Sequence, residues 1–322
     1  MSACRKLAGF VLIIGLPFQA ATSVVAQDTG GLPPEIVSLT TSDNVQLRAT
    51  YFPPSSRKGT PQGKQTTPVV LLHDFKGTRA VFMPLALKLQ APGDLTVEHP
   101  YFAAIVVDLR GHGESTKQIS PEGGVTELDA AKLSKDGMTA MAALDMEAVR
   151  SFLVDKNDAG ELNLNKLCIV GSGMGASVAV NWALHDWTVP PLAVGKQGQD
   201  VKGLVLISPR WTFNGLSMQD AMKFGPLKQN CAWMLIGGAQ DQKAKMELAR
   251  VQSQLEKSHP LTNKAGAPQR KGLETIELQS SLQGDTLVSK SGDSIDAQII
   301  RFLTENVAAV QQPWSSRRSK LP

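Results

Sequence analysis

The residues most able to support chemistry lie near the middle of the chain. Leu167 to Ser177 read LCIVGSGMGAS, a short apolar run, a glycine-dense turn and the start of an Ala- and Val-rich helical pattern. This order predicts a strand, a sharp turn and a helix. Backbone N–H groups at the start of such a helix attract anions whatever the side chains are. Two hydroxyls, Ser172 and Ser177, flank the turn, whose centre is Gly173.

The elements around this turn alternate between strands and helices. Residues 35–52 alternate apolar and polar side chains and predict a hairpin, and residues 53–67 an exposed loop. Later apolar runs predict strands, and helical spacing separates them. We therefore expect an α/β domain with a doubly wound, mostly parallel sheet of about eight strands and no large lid domain. The runs after the hairpin are 69–72, 103–107, the run before Gly171, 201–207, 232–236 and 273–278, and a last helix is predicted from Ser294 to about Ala308.

Bulk properties fit one folded domain. The chain has 322 residues, 42% of them hydrophobic, a mean hydropathy of −0.10 and a formal charge of +4. This small, scattered charge excludes a nucleic-acid partner as the main function. No paired histidines, cysteine pairs or carboxylate runs at ligand spacing occur, so neither a metal nor a cofactor is expected.

The two ends of the chain differ from the middle. Arg5-Lys6, the apolar stretch Leu7–Leu16 and Val24-Val25-Ala26 predict a signal peptide over residues 1–26, cleaved near Ala26. The protein would then be exported to a periplasm or secreted, unless an uncleaved leader anchors it to a membrane. Residues 27–34 are predicted to be a linker, 35–308 the folded domain and 309–322 a disordered basic tail.

Several stretches, taken together, resemble the α/β-hydrolase superfamily of esterases and lipases. Gly171–Gly175 are similar to its G-x-S-x-G nucleophile elbow, and Val70–Phe75 to the strand that ends in H-G-F. Val107–Ser115 match its D-x-R-G-x-G-x-S turn at every fixed position, the most specific of these signals. Asp145–Val149 and Met234–Asp241 are similar to the helix before the elbow and to the strand and turn that supply the catalytic acid.

The resemblance implies a Ser, Asp, His triad that this chain does not complete. Gly173 stands at the nucleophile position, and Gln283 lies near the histidine position. Only Asp241 matches, at the acid position, and no histidine follows His259. An amide cannot take a proton near neutral pH, so a degenerate member of the family is expected.

Other groups could substitute for the missing ones. Ser172 is the fallback nucleophile, although its side chain should point away from the cleft, and Ser177 is better explained by packing. His73, at the end of its strand, is the fallback base, with bonding to nearby backbone as the simpler interpretation. Asp241 could equally cap the helix that follows it.

The resemblance also implies an oxyanion hole made by the backbone N–H groups of Phe75 and Met174. The favoured hypothesis is a non-catalytic exported protein that binds a small acyl or anionic ligand, or a protein partner, in the vestigial cleft. The alternative is a hydrolase of small esters or amides that uses Ser172 with Asp241 and His73. A third possibility is a scaffold whose apolar segment 211–230 is a docking surface, although that segment could also pack over the cleft.

Overall fold

The structure is a computed structural model that describes residues 32–55, 58–90, 101–190, 196–264 and 267–318. The predicted signal peptide and most of the predicted linker lie outside these residues. No helix in the described part of the chain is long and apolar enough to span a membrane.

Twelve of the strands found in the described residues form one sheet, in which the six central strands are parallel. Its order is β12-β13-β14-β11-β8-β7-β3-β4-β2-β5-β6, and β1 pairs with β2. The parallel block runs from β14 to β4. The strands are β1 (Glu35–Thr40), β2 (Val45–Phe52), β3 (Thr67–Leu72), β4 (Phe102–Val107), β5 (Lys117–Ile119), β6 (Val125–Glu127), β7 (Leu167–Ser172), β8 (Val201–Ile207), β9 (Thr212–Phe213), β10 (Leu216–Ser217), β11 (Ala232–Gly238), β12 (Leu261–Lys264), β13 (Ala267–Arg270) and β14 (Leu273–Leu278), where β9 and β10 form a separate pair.

The predicted fold class is confirmed, and the structure adds strands at both edges. The eight expected strands are β1 to β4, β7, β8, β11 and β14, and the four extra ones are the short β5, β6, β12 and β13. β3, β4 and β7 are buried along their whole length, as expected for parallel strands covered on both faces. The extra strands β5 and β6 carry mostly exposed side chains and therefore show no strand pattern in the sequence.

Helices cover both faces of the sheet. One apolar core lies under α3, α4 and α7, and a second lies under α1 and α8. Cys168 and Cys231 are buried free thiols, one in each core, so the sheet separates them. The helices are α1 (Met83–Gln90), α2 (Lys135–Ala140), α3 (Met146–Asp158), α4 (Met174–Thr188), α5 (Gln219–Lys223), α6 (Gly225–Asn230), α7 (Gln242–Glu256) and α8 (Gly284–Leu303), with π-helical turns at Met141–Asp145 and Thr304–Ala308.

Three expectations about the second half of the chain need correction. The last helix begins at Gly284 rather than at Ser294, because Leu287 and Val288 already pack into the core before the Gly292-Asp293 pair that resembles a break. Segment 211–230, in which no strand or helix is predicted, is folded into β9, β10, α5 and α6. Residues 309–318, expected to be disordered, make defined hydrogen bonds to the domain. Residues 319–322 lie outside the described part.

Candidate functional site

The elbow has the backbone shape that the sequence predicts. β7 ends at Ser172, Gly173 adopts φ 51° and ψ −107°, and α4 begins at Met174. A Cβ added at Gly171 would lie 2.5 Å from the backbone of Gly175, so these two glycines allow the strand and the helix to approach closely.

The space above Gly173 is filled by the carboxylate of Asp74. A Cβ added at Gly173 would overlap the carboxyl group of Asp74, and a Cβ at Gly284 would overlap the same group from the other side. Asp74 stands where the family's H-G-F pattern has its glycine. At position 74 this chain therefore has an aspartate where the family has glycine. At position 173 it has glycine where the family has its nucleophilic serine.

Asp74 is hydrogen-bonded to the two amides expected to form the oxyanion hole. Its Oδ1 accepts the N–H of Phe75 at 2.7 Å and the N–H of Met174 at 2.7 Å. In a serine hydrolase these donors stabilise the negative oxygen of the tetrahedral intermediate. Here they are engaged by a fixed negative charge of the protein itself.

Two further residues hold Asp74 in this position. Arg210 Nη2 donates to Asp74 Oδ2 at 3.0 Å, with 38% of the Arg210 side chain and 13% of the Asp74 side chain exposed. Asp285 Oδ1 accepts the Asp74 backbone N–H at 2.9 Å, and burial raises the pKa of Asp285 above its ordinary value. The Asp74 carboxylate is thus held by two amides and a guanidinium, a strong charge-assisted arrangement.

Gln283 lies in the turn before α8, and its amide is bonded at both ends. Ser208 Oγ donates to Gln283 Oε1 at 2.8 Å, and Gln283 Nε2 donates to the carbonyl of Gly238 at 2.9 Å. Ser208 also accepts the N–H of Gly284 at 2.9 Å, and it has a positive φ of 49°. This network fixes the loop and provides no group that can accept a proton from a nucleophile.

Asp241 caps a helix. It is the residue before α7, and its Oδ1 accepts the N–H of Ala244 at 2.9 Å. Of the two interpretations left open by the sequence, this contact is the one that an N-cap makes.

The fallback serines are both fully buried. Ser172 Oγ makes no hydrogen bond in the described part of the chain, although it lies close enough to Asp285 to oppose the larger upward effect of burial on the pKa of that carboxyl. Ser177 Oγ donates to the carbonyl of Arg210 at 3.2 Å. Neither hydroxyl bonds to an imidazole.

The fallback base is held by backbone groups on both ring nitrogens. His73 Nε2 accepts the N–H of Leu109 at 3.2 Å, so its other nitrogen carries the proton and donates to the Asp74 carbonyl at 2.7 Å. The ring is fully buried, and burial lowers the pKa of His73. The structure therefore does not bring Ser172, His73 and Asp241 together as a catalytic set.

The D-x-R-G turn positions the loop behind the site. Asp108 accepts the N–H groups of Arg79 and Glu114 at 2.6 and 3.0 Å. Arg110 pairs with the buried Asp145 at 2.7 Å and with Asp43 at 2.7 Å. This strong sequence signal thus reports loop structure rather than chemistry.

Segment 211–230 packs beside the elbow, and three of its apolar side chains are buried. Trp211, Met218 and Met222 are 8%, 0% and 2% exposed. Phe213 contacts the ring of Phe75, with centroids 5.4 Å apart, and the guanidinium of Arg210 lies 5.0 Å from the Phe213 ring centre. Phe213 and Phe224 are half-buried, so the segment keeps two partly exposed aromatic side chains.

Sequence reasoning missed Asp74 and Arg210. One signal was present, since an aspartate interrupts the H-G-F pattern beside the expected oxyanion donor Phe75. Arg210, three residues beyond β8, carries no motif. Among the residues that the structure describes, no group of three His, Cys, Asp or Glu side chains is placed to hold a metal ion.

Comparisons with known proteins agree with this architecture. The model of the alpha/beta hydrolase family matches residues 69–263. An esterase from Pyrococcus furiosus is similar at 15% identity and a TM-score of 0.55, covering 90% of this chain and 97% of its own. A carboxyl esterase from Bacillus coagulans is similar at 12% identity and a TM-score of 0.55, covering 86% and 99%.

An alpha/beta hydrolase from Penicillium sp. is similar at 13% identity and a TM-score of 0.51, covering 86% of this chain and 100% of its own. At these identities the similarities report the fold alone. A comparison with curated proteins found no match. The family match spans more than half of the chain, so this protein belongs to the alpha/beta hydrolase family.

Proposed function

We propose that this protein is an exported, non-catalytic member of its family that works by binding rather than by turnover. One observation carries the proposal: Asp74 Oδ1 accepts both amides of the oxyanion hole at 2.7 Å. A substrate carbonyl would meet a carboxylate where its developing negative charge needs donors, and like charges repel. The absence of a hydroxyl at Gly173 and of an imidazole at Gln283 supports the same conclusion.

The nature of the ligand follows from the same contacts. A small acyl or anionic ligand would have to displace Asp74 from Phe75 and Met174 and break its pair with Arg210 at 3.0 Å. Binding is therefore proposed to use surfaces outside the oxyanion hole. The alternative hydrolase mechanism is not proposed, since His73 is bonded to backbone groups on both ring nitrogens, Asp241 caps α7 and Ser172 Oγ bonds to no imidazole.

The test is labelling of the purified protein with a fluorophosphonate, followed by mass spectrometry. We expect no serine adduct and no ester hydrolysis from protein that melts cooperatively. The positive control is the triple variant Asp74→Gly, Gly173→Ser and Gln283→His, which frees the two amides and restores both missing groups. An adduct at Ser172 in the unmodified chain would refute the proposal.

Export is proposed from the leader sequence. Two basic residues, an apolar stretch and Val24-Val25-Ala26 support cleavage before Gln27. The intact mass of protein recovered outside the cytoplasm should correspond to a chain that begins at Gln27. An intact leader on all recovered protein would contradict cleavage.

A further inference from the structure

Residues 311–318, called the tail here, lie against a groove at the amino ends of the central parallel strands, on the opposite side of the sheet's end from the elbow. The groove lies beside the starts of β7 and β8, whereas Gly173 follows the end of β7. The tail has no regular secondary structure. Its residues read QQPWSSRR, and the groove is formed chiefly by the loop between α3 and β7.

Three asparagine side chains of the groove bind the backbone of the tail. Their amide Nδ2 atoms donate to three carbonyl oxygens: Asn163 to Gln312 at 2.9 Å, Asn165 to Pro313 at 2.6 Å and Asn157 to Ser315 at 3.0 Å. We call this surface, together with Asp158 and Asp200, the asparagine groove.

The asparagines are buried and held in place by the domain itself. Asn157, Asn163 and Asn165 are 0%, 0% and 6% exposed. Asn157 Oδ1 accepts the N–H of Leu164 at 3.0 Å, and Asn163 Oδ1 accepts the N–H of Asn165 at 3.0 Å. These two bonds come from the domain and orient the amides of Asn157 and Asn163 toward the tail, which reduces the entropic cost of binding.

Acidic side chains bind the basic end of the tail. The two carboxylate oxygens of Asp158 accept the backbone N–H groups of Arg317 and Arg318, at 2.8 and 2.9 Å. The Arg317 guanidinium enters the protein, where it donates to Asp200 at 2.6 Å, Asn165 Oδ1 at 2.8 Å and the Lys196 carbonyl at 3.2 Å. Only 2% of the Arg317 side chain and none of the Asp200 side chain is exposed.

Trp314 is the second anchor. Its indole N–H donates to the carbonyl of Leu162 at 3.2 Å, and the Lys64 ammonium lies 4.5 Å from the centre of its ring. A tryptophan and a buried arginine are the side chains that most often dominate the affinity of an interface.

These contacts recognise the backbone of an extended peptide and two of its side chains, Trp314 and Arg317. The tail contacts described here run between groove side chains and tail backbone, or from the two anchor side chains, so the tail does not extend the sheet. The tail itself contributes to the burial of these groups, so an empty groove would expose the asparagine donors and the Asp158 carboxylate to water, and a bound peptide exchanges that hydration for defined hydrogen bonds. Ala309 and Val310, which join the tail to the domain, are exposed.

We propose that the asparagine groove is a recognition site for an extended basic peptide with the pattern Pro-Trp-Ser-Ser-Arg. The tail occupies it within the same chain and is exchangeable for the same pattern presented by another molecule. This site is separate from the vestigial elbow and does not depend on the absence of catalysis. It gives the protein a binding surface that its sealed oxyanion hole does not provide.

The test uses the full-length double variant Trp314→Ala and Arg317→Ala, which weakens the tail and leaves the groove intact. The probe is a fluorescein-labelled peptide with the sequence of residues 311–322, and the readout is fluorescence anisotropy. We expect saturable binding that is at least about tenfold tighter to the variant than to the unmodified chain, whose tethered tail competes at an effective concentration of about millimolar.

Two altered peptides provide the matched comparison. Alanine in place of Arg317 should weaken binding at least about tenfold, since a charged, buried donor is lost. Alanine in place of Arg318 should leave affinity unchanged, because that side chain is 63% exposed and pairs only with the exposed Asp155. Equal affinities for the two peptides would refute specific recognition.

If the double variant does not melt cooperatively, a second preparation gives the same information. A protease site inserted between Val310 and Gln311 of the full chain is cut after folding, and the labelled peptide is then added. Incorporation of the peptide, or a dimer that free peptide dissociates, supports the proposal. Absence of binding to the folded, cut protein overturns it.

Discussion

Asp74 and Gly173 depend on each other because they share one volume. The Asp74 carboxylate lies where a side chain at 173 would begin, and it uses the two amides that the elbow provides. The hydrogen bonds offset the cost of placing this largely buried charge there, and Arg210 neutralises it. A single substitution at either position therefore disturbs the other.

A double-mutant cycle measures this dependence. Gly173→Ser should lower the free energy of unfolding by about 2–4 kcal/mol. The new Cβ overlaps Asp74, and serine must adopt the positive φ that glycine has at this position. In the Asp74→Gly background the same change should cost less by at least about 1 kcal/mol. Urea unfolding of the four proteins gives both values, and additive effects would show that the residues do not share this space.

Asp241 allows a second prediction at one residue. If its role is to cap α7, Asp241→Ala should cost about 1 kcal/mol, and Asp241→Asn should cost much less because asparagine also caps helices. Urea denaturation distinguishes the two variants. Equal destabilisation by Asn and Ala would indicate a role that requires the negative charge.

At the scale of elements, the D-x-R-G turn brings two histidine rings together behind the elbow. The rings of His73 and His112 lie 4.9 Å apart, and both side chains are buried. Burial, and the neighbouring His73, lower the pKa of His112 from 6.5 to about 4. The His112 imidazole therefore binds a proton less readily in the folded protein than in the unfolded chain.

This resistance predicts a pH dependence. Between pH 6.5 and about 4 the unfolded chain binds a proton at residue 112 that the folded chain does not, so stability falls as the pH falls through this window. The His112 contribution is up to about 3 kcal/mol, at about 1.4 kcal/mol per pKa unit. Urea unfolding at several pH values should show a smaller loss on acidification in His112→Asn than in the unmodified chain.

Other buried groups also titrate in this pH window. Burial raises the pKa of the Asp145 and Asp186 carboxyls to about 6, and these groups favour folding as the pH falls toward 4. Their effect opposes that of His112, so only the difference between the two proteins tests the prediction. Parallel pH profiles would exclude His112 as a source of acid sensitivity.

The elements differ in how well the sequence predicts them. β3, β4 and β7 are continuous apolar runs because both sheet faces are covered, and such runs can be predicted as strands from the sequence. β5 and β6 lie at the edge of the sheet with exposed polar side chains and leave no pattern. The elbow was predictable from local glycine spacing. The position of Asp74 was not, because it depends on two loops 100 residues apart in the chain.

At the scale of the whole molecule, the tail connects the last helix to the loop before β7 and to the segment before β8. Arg317 brings a charge into a cluster that contains Asp200, Lys196 and Arg150. A terminal segment that sequence composition assigns to solvent is thus part of the folded structure, because its anchors bind distant buried partners.

The adjacent arginines of the tail should differ sharply in their effect on stability. Arg317→Ala removes a buried partner of Asp200 and should lower the free energy of unfolding by about 2–4 kcal/mol. Arg318→Ala removes an exposed pair and should change it by less than about 0.5 kcal/mol. Thermal and urea unfolding check both values, and a small effect of Arg317→Ala would mean that the tail contributes little to the fold.

The shared volume of Asp74 and Gly173 also constrains the history of the chain. A serine at 173 overlaps the aspartate at 74, so a path of single substitutions from the family's pattern avoids this overlap only if the serine is lost before the aspartate is gained. No single substitution restores the family's pattern. Gly173→Ser alone places a side chain against Asp74, and Asp74→Gly alone restores no nucleophile. Asp74 therefore opposes a one-step return of the serine, as expected of the non-catalytic role proposed above.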